Sequence, residues 1–297
     1  MKPIIEALKK LHFLIFLSLS LDWEFLFCHY PPRVLERLNF IVHKYYLLVK
    51  HLLLNRPIEP LKTFVNISGR LIYFESKFGI SIFQAMIVNF EKNYIYHLKG
   101  LKKPVVLDVG AHLGFFSLTI AGLFKNPKIY VVEPLNLTFQ MTSKNLAGMK
   151  DVYLKNVGFW NRDGKVPLYF DSNNLMYSSA FEERFREISP KVESVYMERL
   201  DKFISKNKIK HIDVLKLDAE GAEEKILEGA KLGLAMTHYL ILECSLDFVG
   251  GTSFASVARL LKGPGYNFQL VTVGTMQRDN EGKIKVIDLL LENLYSK

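Results

Sequence analysis

The sequence predicts an α/β fold: a mostly parallel sheet preceded by an α-helical N-terminal extension. Three features predict it. From Pro104 onward, short apolar runs alternate with stretches whose apolar residues recur at helical spacing. Runs such as Val105–Asp108 (VVLD) and Tyr239–Glu243 (YLILE) are almost wholly apolar, as strands covered on both faces must be. The segment Val105–Gly114, VVLDVGAHLG, passes from such a strand into a glycine-flanked turn, and a helical pattern follows at once.

The elements follow in chain order. Lys2, Lys9 and Lys10 precede the apolar run Leu11–Leu21, which Asp22 and Glu24 interrupt. About 20 apolar residues are needed to cross a bilayer, and bulky Trp23, Phe25 and Phe27 stand where a cleavage site would need small residues. The run therefore reads as a packed or interfacial helix, with a signal anchor as the competing reading. Pro31-Pro32 ends it. A second helix is expected from about Arg33 to Leu54; its mix of Arg37, Lys44 and Lys50 with apolar residues suits either a membrane surface or a cap on the core. Pro57 and Pro60 mark a linker, so residues 1–60 are expected to form a helical extension and 61–297 the main domain.

Gly69–Ser76 and Gly79–Ile82 predict a small hairpin, and Ile82–Leu98 a helix. Strands are then expected at Val105–Asp108, Ile129–Glu133, Val152–Asn156, Val166–Phe170, Asp213–Asp218, Tyr239–Glu243, Asn267–Val273 and Ile284–Leu291. Helices are expected at Phe115–Phe124, Thr138–Ala147, Leu200–Lys206, Ala222–Lys231 and Ser253–Leu261. The region Asn280-Glu281-Gly282 holds no helix, so the last two strands form a hairpin and at least one runs against the rest. The connection Asp171–Val195 shows little strand pattern.

Composition narrows the class. An apolar fraction of 49% is that of a globular protein, and a mean hydropathy of +0.10 is slightly high for a freely soluble one. The formal charge of +9 points to an acidic partner, an anionic membrane face or nucleic acid. Two cysteines, Cys28 and Cys244, make no disulfide framework, so a reducing, cytoplasmic setting is expected. No Cys or His spacing suits zinc, and no resident metal is expected.

Two motifs carry chemistry. In the first, Asp108 ends a strand and the Gly110–Gly114 turn lets a ligand approach backbone N–H groups. The next strand ends in YVVEP at Glu133, and an acid there suits the two hydroxyls of a ribose. The G-x-G-x-x-G spacing of dinucleotide folds is absent. In the second, Ile212–Ala230 (IDVLKLDAEGAEEKILEGA), a strand ends at Asp218, Ala219-Glu220-Gly221 turns, and Glu223 opens a helix. The following strand ends in Glu243. Asp108, Glu133, Asp218 and Glu243 would thus lie along one sheet rim. Such carboxylates repel unless a positive group lies among them, and a sulfonium cofactor or a divalent ion such as Mg²⁺ would supply it.

The combination DVGAHLGFFS, VVEP, NVGFWNRDGKVPLYF, SS, ERLDKFI and KLDAEGAEEKILEGA resembles the FkbM-type S-adenosylmethionine-dependent methyltransferases, from about Phe83 to the C-terminus. His112 stands where that family usually has Asn. The resemblance implies a Rossmann-like seven-strand methyltransferase sheet with a reversed last strand. It implies O-methylation of a hydroxyl on a sugar, glycolipid or related metabolite, with S-adenosylmethionine as cofactor. On that reading Asp108, Gly110, Ala111 and Gly114 hold the amino-acid end of the cofactor and Glu133 its ribose. Asn156 and Val157 meet the adenine, and Asp218 lies beneath the methyl donor.

A hydroxyl acceptor must lose a proton, so a general base helps; Asp218, Glu220 and Glu243 are the candidates. His112 is their rival at the same edge, and His211 lies at the opposite one. Tyr177, Arg184 and Arg186, near the pair Ser178-Ser179, are placed to meet a sugar. No nucleic-acid partner is expected, because an Asn/Asp-Pro-Pro-aromatic motif is missing where LDAEG stands. Cys244 reads as a buried apolar thiol rather than a nucleophile. A nicotinamide-dependent oxidoreductase and a noncatalytic, membrane-associated binding protein are the alternative functions.

Overall fold

Apolar periodicity alone would let the helices and strands pack in many ways; contact density divides them into two units, Met1–Lys92 and Asn93–Lys297. The computed structural model describes residues 18–54, 64–67, 69–74, 79–171, 174–185, 188–246 and 252–296. The first unit contains helix α1 (residues 18–26), α2 (Val34–Leu54), the antiparallel hairpin β1 (Phe64–Ile67) and β2 (Arg70–Tyr73), and α3 (Gly79–Asn93). The contacts thus group this hairpin and α3 with the preceding helices, whereas the sequence boundary was drawn at residue 60. The hairpin also sits earlier than expected. Its partner strands flank Gly69, whose φ of +79° makes the turn, and Gly79 opens a helix instead.

Phe25 packs tilted on Phe40, and Phe40 edge-to-face on Phe83, inside this unit, with centroids 5.1 and 6.1 Å apart. Beside them lies a buried polar knot. The Lys44 ammonium donates to Asp22, to Gln84 Oε1 at 3.1 Å and to Ser18 Oγ at 3.1 Å. Asp22 also accepts from Tyr45 at 2.6 Å and from Gln84 at 2.8 Å. Burial holds the Lys44 pKa below its ordinary value despite Asp22. Removing one partner would strand a buried charge, at a cost of about 3–5 kcal/mol.

The second unit runs α4 (Ile95–Leu98), β3 (Val105–Val109), α5 (Phe115–Leu123), β4 (Lys128–Val132), α6 (Asn136–Asn145), β5 (Val152–Lys155), β6 (Gly158–Phe159), β7 (Gly164–Asp171) and β8 (Asn174–Ser179). After a single 3₁₀ turn, Glu182–Phe185, it continues with β9 (Lys191–Glu198), α7 (Leu200–Lys206), β10 (Ile212–Leu217), α8 (Glu223–Glu228), α9 (Lys231–Ala235) and β11 (Thr237–Ser245). It closes with α10 (Phe254–Leu260), β12 (Lys262–Gly263), β13 (Tyr266–Arg278) and β14 (Ile284–Asn293).

The main sheet has the order β12-β13-β14-β11-β10-β3-β4-β5. Strands β5, β4, β3, β10 and β11 are parallel, and β14 runs against β11. Strand β13 pairs antiparallel with β14, which is the expected C-terminal hairpin. The expected seven strands extend from β13 to β5; the two-residue β12 is an eighth at the edge. Residues of β3, β4 and β10 such as Val106, Leu107, Val132, Leu215 and Leu217 are fully buried, each contributing roughly 1.5–3 kcal/mol of burial.

Two expectations need correction. The segment Asp171–Val195 is not an unstructured connection: with its flanks it forms a second sheet, β6-β9-β7-β8, over a small core of Leu135, Leu168, Leu175, Val195 and Met197. Val166–Phe170 belongs to that sheet and not to the main one. Its strands alternate buried and exposed residues, so they lack the continuous apolar runs that mark the parallel strands. The helix expected over Ala222–Lys231 ends earlier, at Glu228 (α8), and a separate helix, α9, begins at Lys231 after Gly229. A Cβ on Gly229 would lie 2.5 Å from the Trp160 carbonyl oxygen, so the close backbone approach there admits only glycine.

Candidate functional site

Register brings the acids together. Leu217 pairs with Leu242 of β11 and Val109 of β3, and Val109 pairs with Val132 of β4. One residue beyond each, Asp218, Glu243, Gly110 and Glu133 form a row at the carboxyl ends of four neighbouring strands. Ligands of parallel α/β sheets bind at this edge. Strand β11 runs on to Ser245, so Glu243 lies within the strand and not at its end, opposite Asp288 of β14. The three candidate bases are brought together: one carboxylate oxygen each of Asp218, Glu220 and Glu243 lies within 4.8 Å of the others.

The positive group that so many acids require is part of the chain. Lys216 points from β10 between its neighbours, donating to Asp218 Oδ2 at 3.0 Å and to the Gly110 carbonyl at 3.0 Å. Its ammonium lies 3.6 Å from Asp108 Oδ1. Burial opposes the charge on Lys216, but Asp218 and Asp108 outweigh it and hold the ammonium above its ordinary pKa. Asp108 is fully buried; its other oxygen accepts from Ser117 at 2.6 Å. Burial raises its pKa against the pull of Lys216. Asp108 therefore ties α5 and Lys216 to the sheet, and a ligand reaches it only if one of them yields.

The Gly110–Gly114 turn owes its glycines to packing as well as to backbone freedom. Gly110 has φ +71°, and a Cβ there would collide with the Asp218 carbonyl. Gly114, at φ +77°, leads into α5, and a Cβ would press on Thr142 and Leu146 at 3.1 Å. Between them Ala111 is buried, and His112, at φ +51°, donates its amide to Glu133 Oε2 at 2.8 Å. Burial pushes the His112 imidazole down to about 4, so it is neutral near pH 7.

Glu133 is more committed to the protein than the sequence suggests. Besides His112 it accepts from the Leu135 amide at 3.0 Å and from Thr138 at 2.7 Å. A carboxylate offers about four acceptor positions, so roughly one remains for an incoming hydroxyl. Burial pushes its pKa up to about 7 despite these bonds. Asn156 spends its amide protons on the carbonyls of Glu133 and Pro134, at 2.9 and 3.0 Å, and Val157 is buried in the core.

Glu220 is held from outside the sheet. Arg184, in the 3₁₀ turn, pairs with its carboxylate at 2.5 Å, and Ser179 at the end of β8 donates to its carbonyl at 2.8 Å. The turn is left-handed, with φ +52° at Glu220 and +97° at Gly221. Glu223 completes the hold from below by accepting the amides of Ala219 and Gly221 at 3.0 and 3.1 Å. Glu223 is thus structural. Burial pushes Glu220 up to about 8, opposed by Arg184 and aided by Asp218. Burial, with Asp218, Glu220 and Asp288, raises Glu243 well above the usual carboxylate range. The three carboxylates offer the oxygen donors a divalent ion takes, but Lys216 and Arg184 already supply opposing charge.

Lys216 and Asp288 escaped the sequence reading, and Ser179 and Arg184 were noted only as substrate contacts. The available signal was a charge inside an apolar run: Lys216 in VLKL and Asp288 in VIDLLL. Buried charges persist only with partners. Arg186 and the Tyr177 side chain lie outside the described residues. His211 pairs with Asp213 at 3.4 Å, and Cys28 and Cys244 are both buried and reduced.

A mostly parallel sheet with a reversed last strand, and acids along its carboxyl edge, defines the class: a Rossmann-like methyltransferase. Residues 108–270 match the model of the methyltransferase FkbM domain, which is more than half of the chain. The protein belongs to that family of S-adenosylmethionine-dependent methyltransferases. Methyltransferase sdnD of Sordaria araneosa is 27% identical over 187 residues, covering 52% of this chain and 72% of that one. Among solved structures, P. horikoshii TYW2 in complex with MeSAdo aligns over 86% of this chain and 84% of its own, with 14% identity and a TM-score of 0.46. An rRNA methylase from Streptococcus thermophilus aligns over 66% and 91%, with 14% identity and a TM-score of 0.39.

Proposed function

We propose that this methyltransferase methylates a hydroxyl oxygen on a sugar, glycolipid or related metabolite. The observation that carries the reading is the cluster of Asp218, Glu220 and Glu243, within 4.8 Å of one another, with a proton affinity near neutral pH at Glu220. A base poised near the working pH is what removal of a hydroxyl proton requires.

The residues present fit the cofactor. Glu133 keeps an acceptor position for a ribose hydroxyl, Asn156 keeps its amide oxygen for a donor on the adenine edge, and Val157 packs nearby. The Gly110–Gly114 turn, including Ala111, and Asp218 would hold the amino-acid end, with Asp108 acting from behind by holding Lys216 in place. Bound S-adenosylmethionine supplies a methyl group on a positively charged sulfur. The chain aligns the acceptor oxygen, worth several orders of magnitude in rate, and receives its proton. Arg184 and Lys216 both pull Glu220 toward its ionised form, which is the form that takes the proton.

Incubation with labelled cofactor and a panel of free and lipid-linked sugars tests this. Label should enter an alkali-stable ether on sugar oxygen. Glu220→Gln or Glu243→Gln should slow transfer by about 10² or more, with cofactor affinity retained. Transfer only to nitrogen or carbon acceptors, or full rates in both variants, would refute it.

A further inference from the structure

We propose that helices α1 and α2 form a surface that docks onto an anionic lipid bilayer and lies in the plane of its headgroups. The proposal stands apart from the identity of the acceptor. On α1 and the turn that ends it, Leu19, Trp23 and Phe27 recur at four-residue spacing, with Trp23 66% and Phe27 69% exposed. On α2, Leu35, Leu38, Val42 and Tyr46 share one face, with Leu35 77% and Val42 65% exposed. The opposite sides of the same helices bury Asp22, Arg37 and Lys44 beside Phe25, Phe40 and Leu47.

This distribution inverts what water selects. An aqueous amphipathic helix turns its charges outward. Here, among the described residues 18–49, Arg33 is the one charged residue in the exposed class. Exposed apolar residues lined along a helix face in this way mark a contact face.

Charge and residue type select lipid as the occupant. The chain carries a net +9, and Lys2, Lys9 and Lys10 precede the apolar run that leads into α1. A second copy would bring the same positive charge against itself, whereas an anionic bilayer complements it. Trp and Tyr are the residues that favour the headgroup level. No described helix is long and apolar enough to cross a membrane, so a docked α1–α2 pair lies along the surface.

The test uses the full chain and vesicles of phosphatidylcholine with or without phosphatidylglycerol. Flotation should recover the protein with the anionic vesicles, less so at high salt. In a Trp160→Phe background, Trp23 emission should shift to the blue on binding. A Leu35→Glu/Val42→Glu variant alters exposed side chains only; with an unchanged circular dichroism spectrum and cofactor affinity, it should lose vesicle affinity by about tenfold or more. Leu35→Ala/Val42→Ala should weaken it less. Absence of vesicle binding would overturn the proposal. So would binding undiminished in the glutamate variant, or a dimer that this variant splits while the wild type ignores lipid.

Discussion

A single hydrogen atom at Gly110 keeps the first turn against the end of β10. Alanine there meets the Asp218 carbonyl and must also hold φ +71°. Gly148 has a similar φ, +70°, but open space around it. Gly148→Ala should therefore cost only the left-handed penalty, about 1–2 kcal/mol, and Gly110→Ala clearly more. Urea unfolding of the two variants measures the difference; equal costs would mean that contact with β10 is unimportant. The same scale explains how the acid rim holds together: the Lys216 ammonium lies between Asp108 and Asp218. Asp108 was legible as an acid in the first strand, though it lies within β3 and not at its end; Lys216 beside it was not legible. A lysine in VLKL declares only that a charge is buried, while its partners lie on other strands and turns. Glu133 was legible as an acceptor, yet three of its bonds come from backbone and hydroxyl groups that no motif records.

Among elements, the second sheet contributes most that is new. Strand β8 and the 3₁₀ turn deliver Ser179 and Arg184 to the Glu220 turn. Arg184 is a positioning residue on this view: its charge opposes the burial that pushes Glu220 up. Arg184→Gln should raise the proton affinity of the acid cluster further. The acidic limb of the pH–rate profile should then move to higher pH, with partial recovery in Arg184→Lys. A purely structural role would lower the rate evenly and leave the limb in place. The parallel strands and the C-terminal hairpin were readable because burial on both faces writes continuous apolar runs. The second sheet was not, because its half-exposed strands resemble a polar loop. The need for glycine between α8 and α9 was equally hidden, since the backbone that approaches Gly229 is that of Trp160, far away in sequence.

At the scale of the whole molecule, concentrated buried acids leave a signature in stability. Burial raises Glu133 and Asp288 to about 7 and Glu220 to about 8, whereas the ordinary carboxylate values are 3.8 and 4.5. Between those limits the folded protein holds protons that the unfolded chain has released. Stability must therefore fall as pH rises through this window. Thermal melting of the cofactor-free protein should show a lower Tm at about pH 8 than at about pH 5. Glu243→Gln should flatten the slope, because Glu243 also titrates high; a Tm that rises with pH would contradict the buried cluster. Sequence alone determined which segments form the parallel strands, the C-terminal hairpin and the acids Glu133 and Asp218 just beyond their strands. Those follow from local periodicity and from where each apolar run stops. Tertiary structure alone decided which charges meet. Lys216 reaches the Gly110 carbonyl across 106 residues of chain, and Arg184 reaches Glu220 from another sheet. Pairing energy acts through space at a few ångströms, and no spacing along the chain encodes it.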